Sequence, residues 1–583
     1  MVFMHSPWFS AFSVFARNPA RARRRRRVGR REVFSAQIYG GQGADRSVTV
    51  ALGCDVLERR IVLASGESDF FFSQGTITGY KGLGGVVDIP SIIGGVPVAV
   101  IGENAFAMNA AITSVSIPDS VVFVGNSAFD GDTALTRFTI GKSVQAIGNS
   151  AFSGATALTS VNIPGTVKTI GDSAFLGNIA LTRLTIGAGV QAIGNSAFSG
   201  NTALQSVKIP ASVKTIGDSA FFGNTALTQL TIGAGVQTIG NSAFAGNTAL
   251  PVVKIPGSVK TIGDFAFSGN TALTQLTIGV GVQTIGNSAF AGNAALQSVK
   301  IPASVRTIGD SAFLGNTALT RLTIGAGVQT IGNSAFSGNT ALTSVKIPRT
   351  VKTIGAFAFF GNTALKQLTI GTGVQTIGNY AFAGNTALKD LKILGNVKTI
   401  GDSACRGNTA LQHLTIAKGV QTIGDSAFES CRALWGVKLP DSVTKLGDRA
   451  FYGNTRLNAA DVGNGLAVLA PEVFAQCTAL RAVVVGRGVT SIKAEAFAGD
   501  RVLSWIQFQG SNLPTIHPTA FSGVAPGAVA HVLVEGVDGY GIPGTLLNLA
   551  VAQQPVSVAN EIQKDIDESI DNGFWATRTP IFQ

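Results

Sequence analysis

Apolar and small residues recur along this chain with a period of 23 residues. A phenylalanine, usually preceded by alanine, stands at seventeen of eighteen consecutive steps of this period, and Cys405 takes its place at the remaining one. The phenylalanines are Phe106, Phe129, Phe152, Phe175, Phe198, Phe221, Phe244, Phe267, Phe290, Phe313, Phe336, Phe359, Phe382, Phe428, Phe451, Phe474 and Phe497. Such a fixed period is the mark of an array in which each unit buries its apolar side against the next, so we expect these rings to form a continuous core.

The first half of each unit predicts a β-strand. In the unit 204–226, Val207 and Ile209 alternate with polar residues, as in a strand with one buried face. The strand ends at Pro210, whereas the next unit has Gly233 at that position. Proline recurs there at Pro118, Pro164, Pro210, Pro256, Pro302 and Pro348, and glycine at Gly141, Gly187, Gly233, Gly279, Gly325 and Gly371. The true period is therefore 46, as duplication of a two-unit block would produce.

The second half of the unit predicts a return path to the next strand. Val213 and Ile216 indicate a second short extended segment, and Gly217 permits a tight bend. Asp218 is then expected to N-cap a brief helical turn that brings Phe221 into the core. The predicted fold is a repeat solenoid of about eighteen units, with a parallel β-sheet on one face and short extended or helical turns on the other.

Length and composition agree with this architecture. A single core stops growing at about 250 to 300 residues, so a chain of 583 residues needs several domains or an array. Charged residues are only 13% and apolar residues 45%, which excludes a disordered chain. We expect a leader over 1–70, the solenoid over 71–525, and a C-terminal cap and tail over 526–583. Over 560–574, isoleucines at every fourth position predict a short amphipathic helix that packs on the C-terminal end (Ile562, Ile566 and Ile570).

The net charge of +12 is concentrated at the N-terminus, where residues 1–35 hold nine arginines and one glutamate. The run Arg23–Arg27 could bind nucleic acid or anionic lipid, or belong to an export-related or unstructured leader. Its apolar stretch, Phe9–Phe15, precedes the charges, whereas a signal peptide has its charges first. A start codon assigned too early would produce this order, and we favour the leader. No apolar run is long enough for a membrane span.

Strand positions that point away from the core form the open face of the sheet, which is the usual binding surface of such arrays. The candidate ligand-facing residues there are Lys208, Thr231, Lys254, Thr277, Lys300, Thr323, Lys346, Thr369, Lys392, His413, Thr415 and Lys438. A second basic column follows the same spacing at Lys168, Lys214, Lys260, Arg306, Lys352 and Lys398. Both columns could hold an acidic polymer. The simpler explanation, which we favour here, is that duplication copies solubilising lysines that also block sheet edges.

Nothing in the sequence supports catalysis, a metal centre or a cofactor. The four histidines, His5, His413, His517 and His531, are scattered, so neither a metal cluster nor a Ser-His-Asp arrangement is predicted. Glycine pairs such as Gly233 and Gly235 end strands and precede no phosphate-binding helix. The four cysteines form no CxxC pair and are too few for a disulfide framework. We expect no enzyme activity.

The unit LxxVxIPxSVxxIGDSAFxGNTA resembles the repeat of BspA-like leucine-rich-repeat proteins, which are found largely on bacterial surfaces and in some protists. The resemblance covers about residues 76–525 and implies a leucine-rich-repeat superhelix that binds protein or glycan without chemistry. Family members commonly carry cysteine three residues after the phenylalanine. Here that residue is usually asparagine, as at Asn224, and Cys431 and Cys477 keep the family type. These two cysteines are two units apart, about 10 Å, which is too far for a disulfide.

A second resemblance lies at the N-terminus. The segment 52–66, with Leu57-Glu-Arg-Arg-Ile-Val-Leu-Ala-Ser65 after the arginine-rich start, is similar to the N-terminal region of exported planctomycete proteins. It implies a bacterial product in the envelope or outside the cell.

The sequence therefore favours a monomeric, exported or surface-bound module for binding or adhesion, with a protein or glycan ligand. The first alternative is an intracellular protein-interaction scaffold that keeps its arginine-rich segment. The second is a polyanion or nucleic-acid binder that uses the arginine-rich leader and the lysine columns, which we disfavour.

Overall fold

The computed structural model describes residues 65–510, 513–533, 545–546, 549–554, 563–564 and 567. All of them belong to one structural unit, 62–583. They form a parallel β-solenoid of about twenty turns of about 23 residues with almost no helix, so the predicted fold class is confirmed. The arginine-rich run, the segment 52–64 and the three isoleucines of the predicted C-terminal helix lie outside the described residues. No described helix is long and apolar enough to cross a bilayer.

One strand of each turn lies on the open face. Neighbouring turns pair there in parallel, with equivalent residues side by side, within six successive short sheets. These strands are Gly85–Asp88, Ile112–Ser116, Arg137–Thr139, Ser160–Ile163, Arg183–Ile186, Ser206–Lys208, Gln229–Thr231, Val252–Lys254, Gln275–Thr277, Ser298–Lys300, Arg321–Thr323, Ser344–Lys346, Gln367–Thr369, Asp390–Ile393, His413–Ile416, Gly436–Lys438, Ala459–Asp461, Ala482–Val485, Trp505–Phe508, Val529–Leu533 and Leu549–Gln554. Thr545–Leu546 pairs antiparallel with the last of them. This is the sheet that the alternation of Val207 and Ile209 predicts.

A two-residue strand in the second half of each turn builds a second ladder. Its strands are Val100–Ile101, Phe123–Val124, Ala146–Ile147, Thr169–Ile170, Ala192–Ile193, Thr215–Ile216, Thr238–Ile239, Thr261–Ile262, Thr284–Ile285, Thr307–Ile308, Thr330–Ile331, Thr353–Ile354, Thr376–Ile377, Thr399–Ile400, Thr422–Ile423, Lys445–Leu446, Val468–Leu469, Ser491–Ile492 and Thr515–Ile516. The second residue of each strand, usually isoleucine, points towards the core, and the first, usually threonine, points away from it. The extended segment predicted around Ile216 is therefore present.

An antiparallel hairpin begins the solenoid. It follows a 3-10 turn at Glu67–Asp69 and consists of Phe70–Ser73 and Thr76–Tyr80, and the second of these strands pairs with Val100–Ile101. A smaller hairpin joins Ile92–Ile93 to Val96–Pro97. The rings of Phe70 and Tyr80 lie 6.3 and 5.3 Å from that of Phe106, and so they cover the first ring of the core.

The phenylalanines stack face to face along the solenoid. The ring of Phe244 is fully buried, and its centroid lies 5.3 Å from that of Phe221 and 5.2 Å from that of Phe267. This spacing follows from the strand separation, because each turn contributes one ring. Phe521 extends the column beyond Phe497 at 5.1 Å. Burial of each ring contributes about 2 to 3 kcal/mol, so the column is a main source of stability between turns.

The turn before each phenylalanine differs from the predicted helical turn. Ser219 has a left-handed backbone, with φ of 54°, which interrupts any helix after Asp218. The Asp218 carboxylate does not cap its own turn, and Oδ1 instead accepts a hydrogen bond of 2.7 Å from the backbone N–H of Asn241 in the next turn. The prediction of an N-cap was therefore wrong. These side chains link successive turns, since Asn195 Oδ1 accepts from the N–H of Asp218 in the same way.

A ladder of buried asparagines follows the phenylalanines. Asn247 donates from Nδ2 to the carbonyl oxygens of Phe244 and Phe221, at 2.8 and 3.1 Å. Its backbone N–H donates to Asn270 Oδ1 at 2.7 Å. The side chain thereby satisfies backbone groups that the turns would leave unpaired in the core. At the corresponding position, the Cys431 thiol donates to the Cys405 carbonyl at 3.2 Å, and both thiols are free.

The alternation of proline and glycine has a steric reason. A Cβ at Gly233 would lie 2.4 Å from the carbonyl oxygen of Pro210 in the preceding turn, and one at Gly279 would lie 2.3 Å from that of Pro256. Where one turn of the solenoid has proline at this position, the next turn therefore has no room for a side chain there.

Candidate binding face

Alternation along each strand creates the open face. In Ser206–Lys208 the valine is buried, whereas the serine and lysine are exposed on the side away from the phenylalanines. The parallel register places Ser206 beside Gln229 and Lys208 beside Thr231. Two columns of polar side chains therefore run along the solenoid.

The column that contains Lys208 and Thr231 holds eleven of the twelve candidate ligand-facing residues predicted from the sequence. All twelve of them, His413 included, are exposed on open-face strands. Lysine and threonine alternate along the column, and His413 stands in the neighbouring one. Since adjacent strands are about 4.8 Å apart, one ammonium group recurs about every 10 Å.

The second basic column lies elsewhere on the molecule. Lys214 and its equivalents immediately precede the second ladder, and all six are exposed there. The two basic columns therefore belong to different surfaces of the same turns.

An Asp–His pair interrupts the regular polar pattern of the open face. Asp390 Oδ1 lies 2.7 Å from Nδ1 of His413, and both side chains are exposed. Asp390 also lines a shallow cleft of about 310 Å³, together with Lys366 and Lys392. Sequence reasoning missed Asp390. Its signal was available, because the turns before it carry serine, glutamine, valine or arginine at that position.

The column ends at Lys438, whose ammonium group has two carboxylate partners. Lys438 Nζ lies 2.6 Å from Asp567 Oδ1 and 3.5 Å from Asp461 Oδ2. Burial disfavours its charge, but hydrogen bonds and Coulombic attraction from Asp567 and Asp461 outweigh this effect and hold the pKa of Lys438 above its usual range. Burial also raises the pKa of the Asp461 carboxyl. A cleft of about 650 Å³ opens beside this group, lined among others by Lys418 and Gln563.

Beyond Lys438 the outward side of the sheet is covered. Ala459, Asp461, Val484, Trp505 and Gln507 occupy outward positions there and are all buried. Two described residues of the C-terminal segment, Gln563 and Asp567, lie on this side of the sheet. These two residues thus contact the open side of the last turns, whereas the prediction placed the amphipathic helix on the C-terminal end.

Each histidine that the structure describes has a different neighbouring side chain. His413 pairs with Asp390, His517 Nδ1 lies 3.0 Å from the hydroxyl of Thr519, and the ring of His531 stacks on Trp505 with centroids 3.3 Å apart. Burial lowers the pKa of His531 to about 4. Within the described part of the chain, no three His, Cys, Asp or Glu side chains gather as metal ligands. Burial raises the pKa of the Cys431 thiol to about 12, which makes it a poor nucleophile.

Comparisons with known proteins agree with the fold. The model of the BspA type leucine rich repeat region, with six copies, matches residues 99–225, 221–339, 307–418 and 404–525. A leucine-rich repeat protein of known structure from Bacteroides ovatus is 24% identical, with a TM-score of 0.51 over 67% of this chain and 92% of that one. This likeness supports the fold.

Two further solved structures are similar over parts of the chain. A leucine rich cell surface protein from Faecalibacterium prausnitzii is 25% identical over 62% of this chain and 88% of its own, with a TM-score of 0.32. A leucine rich repeat protein from T. pallidum is 29% identical over 32% of this chain and 91% of its own, with a TM-score of 0.31. The comparison with curated proteins finds no significant match.

Proposed function

Because the chain belongs to the BspA-type leucine-rich repeat family, we propose that it is a non-catalytic module for binding or adhesion that recognises a protein or glycan ligand. Proteins with such repeats are interaction modules, and a solenoid offers an extended surface for this task. The ligand site in this proposal is the open face from Ser160 to Lys438.

The observation that carries the proposal is the contrast between the earlier and the later strands on this side of the solenoid. Over the strands from Ser160–Ile163 to His413–Ile416, outward side chains are polar except for Val252, and they are mostly exposed. Over Ala459–Asp461 and Ala482–Val485 the same positions are apolar or buried. A surface that is kept polar and open over a dozen turns is suited to contact another molecule.

A set of three open-face substitutions tests where the ligand binds. We expect Thr277→Glu, Thr323→Glu and Thr369→Glu together to weaken binding at least tenfold, because they place charge and volume in the middle of the face. The ligand is first identified by exposing the full chain to arrays of purified glycans and of extracellular proteins. The affinity of each variant for the glycan or protein that binds most strongly on the arrays is then measured.

The same turns provide a matched control. Thr284, Thr330 and Thr376 are exposed threonines of the second ladder, and the same change to glutamate there should leave binding within twofold. Equal losses in both sets, or no reproducible hit on either array, would contradict the proposal.

We further propose that the protein acts at the cell surface or outside the cell, a placement that rests on the N-terminal resemblance to exported proteins. The expected result is a mature N-terminus near Ser65 in an envelope or medium fraction. The native gene is expressed in its own host, and the N-terminus is sequenced from each cell fraction. An intact arginine-rich segment in the cytosol would instead favour an internal scaffold.

A further inference from the structure

We propose that the open face recognises acidic polypeptide segments through its column of lysines. Asp567, from the chain's own C-terminal segment, binds the last lysine of this column, Lys438. The inference rests on the proposed function, since it names the ligand class of the same face.

The contact at Lys438 shows how the column holds a carboxylate. Lys438 is the sixth lysine of the column, and it alone among these six forms an ion pair within the described residues. Its partner Asp567 reaches it from a segment 129 residues further along the chain. Gln563 secures the same segment, because Nε2 donates to Asp461 Oδ2 at 3.0 Å and Oε1 accepts from Gln509 Nε2 at 3.1 Å.

The sequence of that segment is acidic. Residues 561–571 contain five acidic residues, Glu561, Asp565, Asp567, Glu568 and Asp571, and a single cation, Lys564. Asp567, which belongs to this acidic stretch of sequence, thus lies beside the terminal lysine of a basic column. Charge complementarity of this kind supports specific recognition.

The open face is selectively basic. The strands from Ser160–Ile163 to Gly436–Lys438 contain six lysines and two arginines, but their one acidic residue is Asp390, which His413 already engages. Solubility alone is served equally well by a mixture of both signs. The column also stops where the chain covers itself, because the position 46 residues beyond Lys438 is Val484, which is fully buried.

The spacing of the lysines defines what a partner must present. Successive ammonium groups are about 10 Å apart, which is two strand separations. An extended peptide rises about 3.3 Å per residue, so carboxylates three residues apart match this spacing. In a helix, with a rise of 1.5 Å, the match is about seven residues. Exposed threonine hydroxyls between the lysines can donate further hydrogen bonds to carboxylates.

Binding of an acidic peptide to the full-length protein tests the inference. The probe is a fluorescent peptide with the sequence of residues 558–573, and its control has amides in place of all five carboxylates. We expect the acidic probe to bind with an affinity that falls steeply with salt, and the amide peptide to fail. Replacing Lys254, Lys300 and Lys346 by glutamine should weaken the acidic probe about tenfold, since exposed pairs are individually weak.

The second basic column supplies a control with the same charge change in the same turns. Replacing Lys260, Arg306 and Lys352 by glutamine should leave the affinity within twofold. Equal losses in both triple variants would show that net charge alone draws the peptide, and would overturn the inference. If a heparin fragment binds and depends on Lys300 while the peptide does not bind, the ligand is an acidic polysaccharide and the inference is wrong.

These outcomes are separable from those of the proposed function. If the threonine-to-glutamate set abolishes binding of the array ligand but the acidic peptide never binds, the open face is the binding site and only the ligand class is wrong.

The intrachain contact has its own test. In the full chain, Asp567→Asn should increase deuterium uptake by peptides that cover residues 559–571, because Lys438 loses its closest carboxylate. Unchanged uptake would show that the ion pair does not hold the segment, and would remove the precedent for the acidic ligand.

Discussion

Replacing Phe244 by alanine is expected to lower the free energy of unfolding by about 3 to 5 kcal/mol. The ring is fully buried between Phe221 and Phe267, so its removal forfeits the burial of an aromatic side chain and two stacked contacts. It also leaves a cavity that rigid neighbouring turns cannot fill by collapse. Urea unfolding of the full chain measures the loss. Hydrogen exchange over residues 221–267 locates it, because each turn of a solenoid depends mainly on its neighbours.

Phe265 provides the matched control in an adjacent turn. Its side chain is about half exposed, and its backbone is left-handed, with φ of 56°, at a position where most turns carry serine. Phe265→Ser removes an equally large ring but restores the common residue, so we expect a change of less than about 1 kcal/mol. If both variants lose the same stability, or Phe244→Ala loses less than about 1 kcal/mol, the ring column is not the stabilising core.

The architecture could be predicted because one physical constraint is repeated in every turn. Phe221 and its equivalents must stack at the strand separation, so their period of 23 is visible in the sequence. The alternation around Val207 separated inward from outward positions for the same reason. These are local patterns, and the fold copies them along its axis.

The turn geometry was harder to predict because two conformations use the same residues. Asp218 before Ser219 and Ala220 fits an N-cap, but the left-handed backbone at Ser219 directs the carboxylate to Asn241 of the next turn. The burial of the recurring asparagines was not predicted, for a related reason. Asn247 in a Gly-Asn-Thr string is typical of an exposed loop, and its burial depends on carbonyl groups of two different turns.

The end of the open face was also missed, although the sequence carries a signal for it. Ala482–Val485 reads Ala-Val-Val-Val, without the alternation of earlier strands, and such a run is typical of a strand buried on both sides. What covers this region could not be deduced from periodicity. The contact between Lys438 and Asp567 joins residues that no repeat relates.

Asp500→Asn is expected to stabilise the protein by an amount on the order of 5 kcal/mol at pH 8. Asp500 occupies the asparagine ladder position, where it is fully buried and accepts a hydrogen bond from the N–H of Cys477 at 2.8 Å. Burial raises the pKa of this carboxyl to about 9, above its unfolded value of about 3.9. The protonated Asp500 carboxyl can donate at most one hydrogen bond, whereas the side-chain amide of an asparagine such as Asn454 donates to two carbonyl oxygens.

The sign of the pH dependence follows from the raised pKa. Below about pH 4 the carboxyl is protonated in both states and its contribution to stability is complete. As the pH rises towards 9 the unfolded chain releases this proton more readily than the folded chain, so stability declines. The asparagine variant lacks this decline, and its advantage should therefore be small at pH 4 and grow up to about pH 9. Thermal unfolding at a series of pH values measures the difference.

Asp218→Asn distinguishes burial from the mere loss of a carboxylate. Asp218 accepts a backbone hydrogen bond at the exposed linking position, where alternate turns already use asparagine, as at Asn195. The substitution keeps a side-chain oxygen that can accept this hydrogen bond and removes no buried carboxyl, so it should not reproduce the pH-dependent gain of Asp500→Asn. Asp132, the second aspartate of the ladder, has its pKa raised to about 7 by burial, so Asp132→Asn should reproduce the effect of Asp500→Asn with a smaller amplitude. If Asp218→Asn and Asp500→Asn shift the pH profile alike, buried carboxyls do not set the pH dependence of this solenoid.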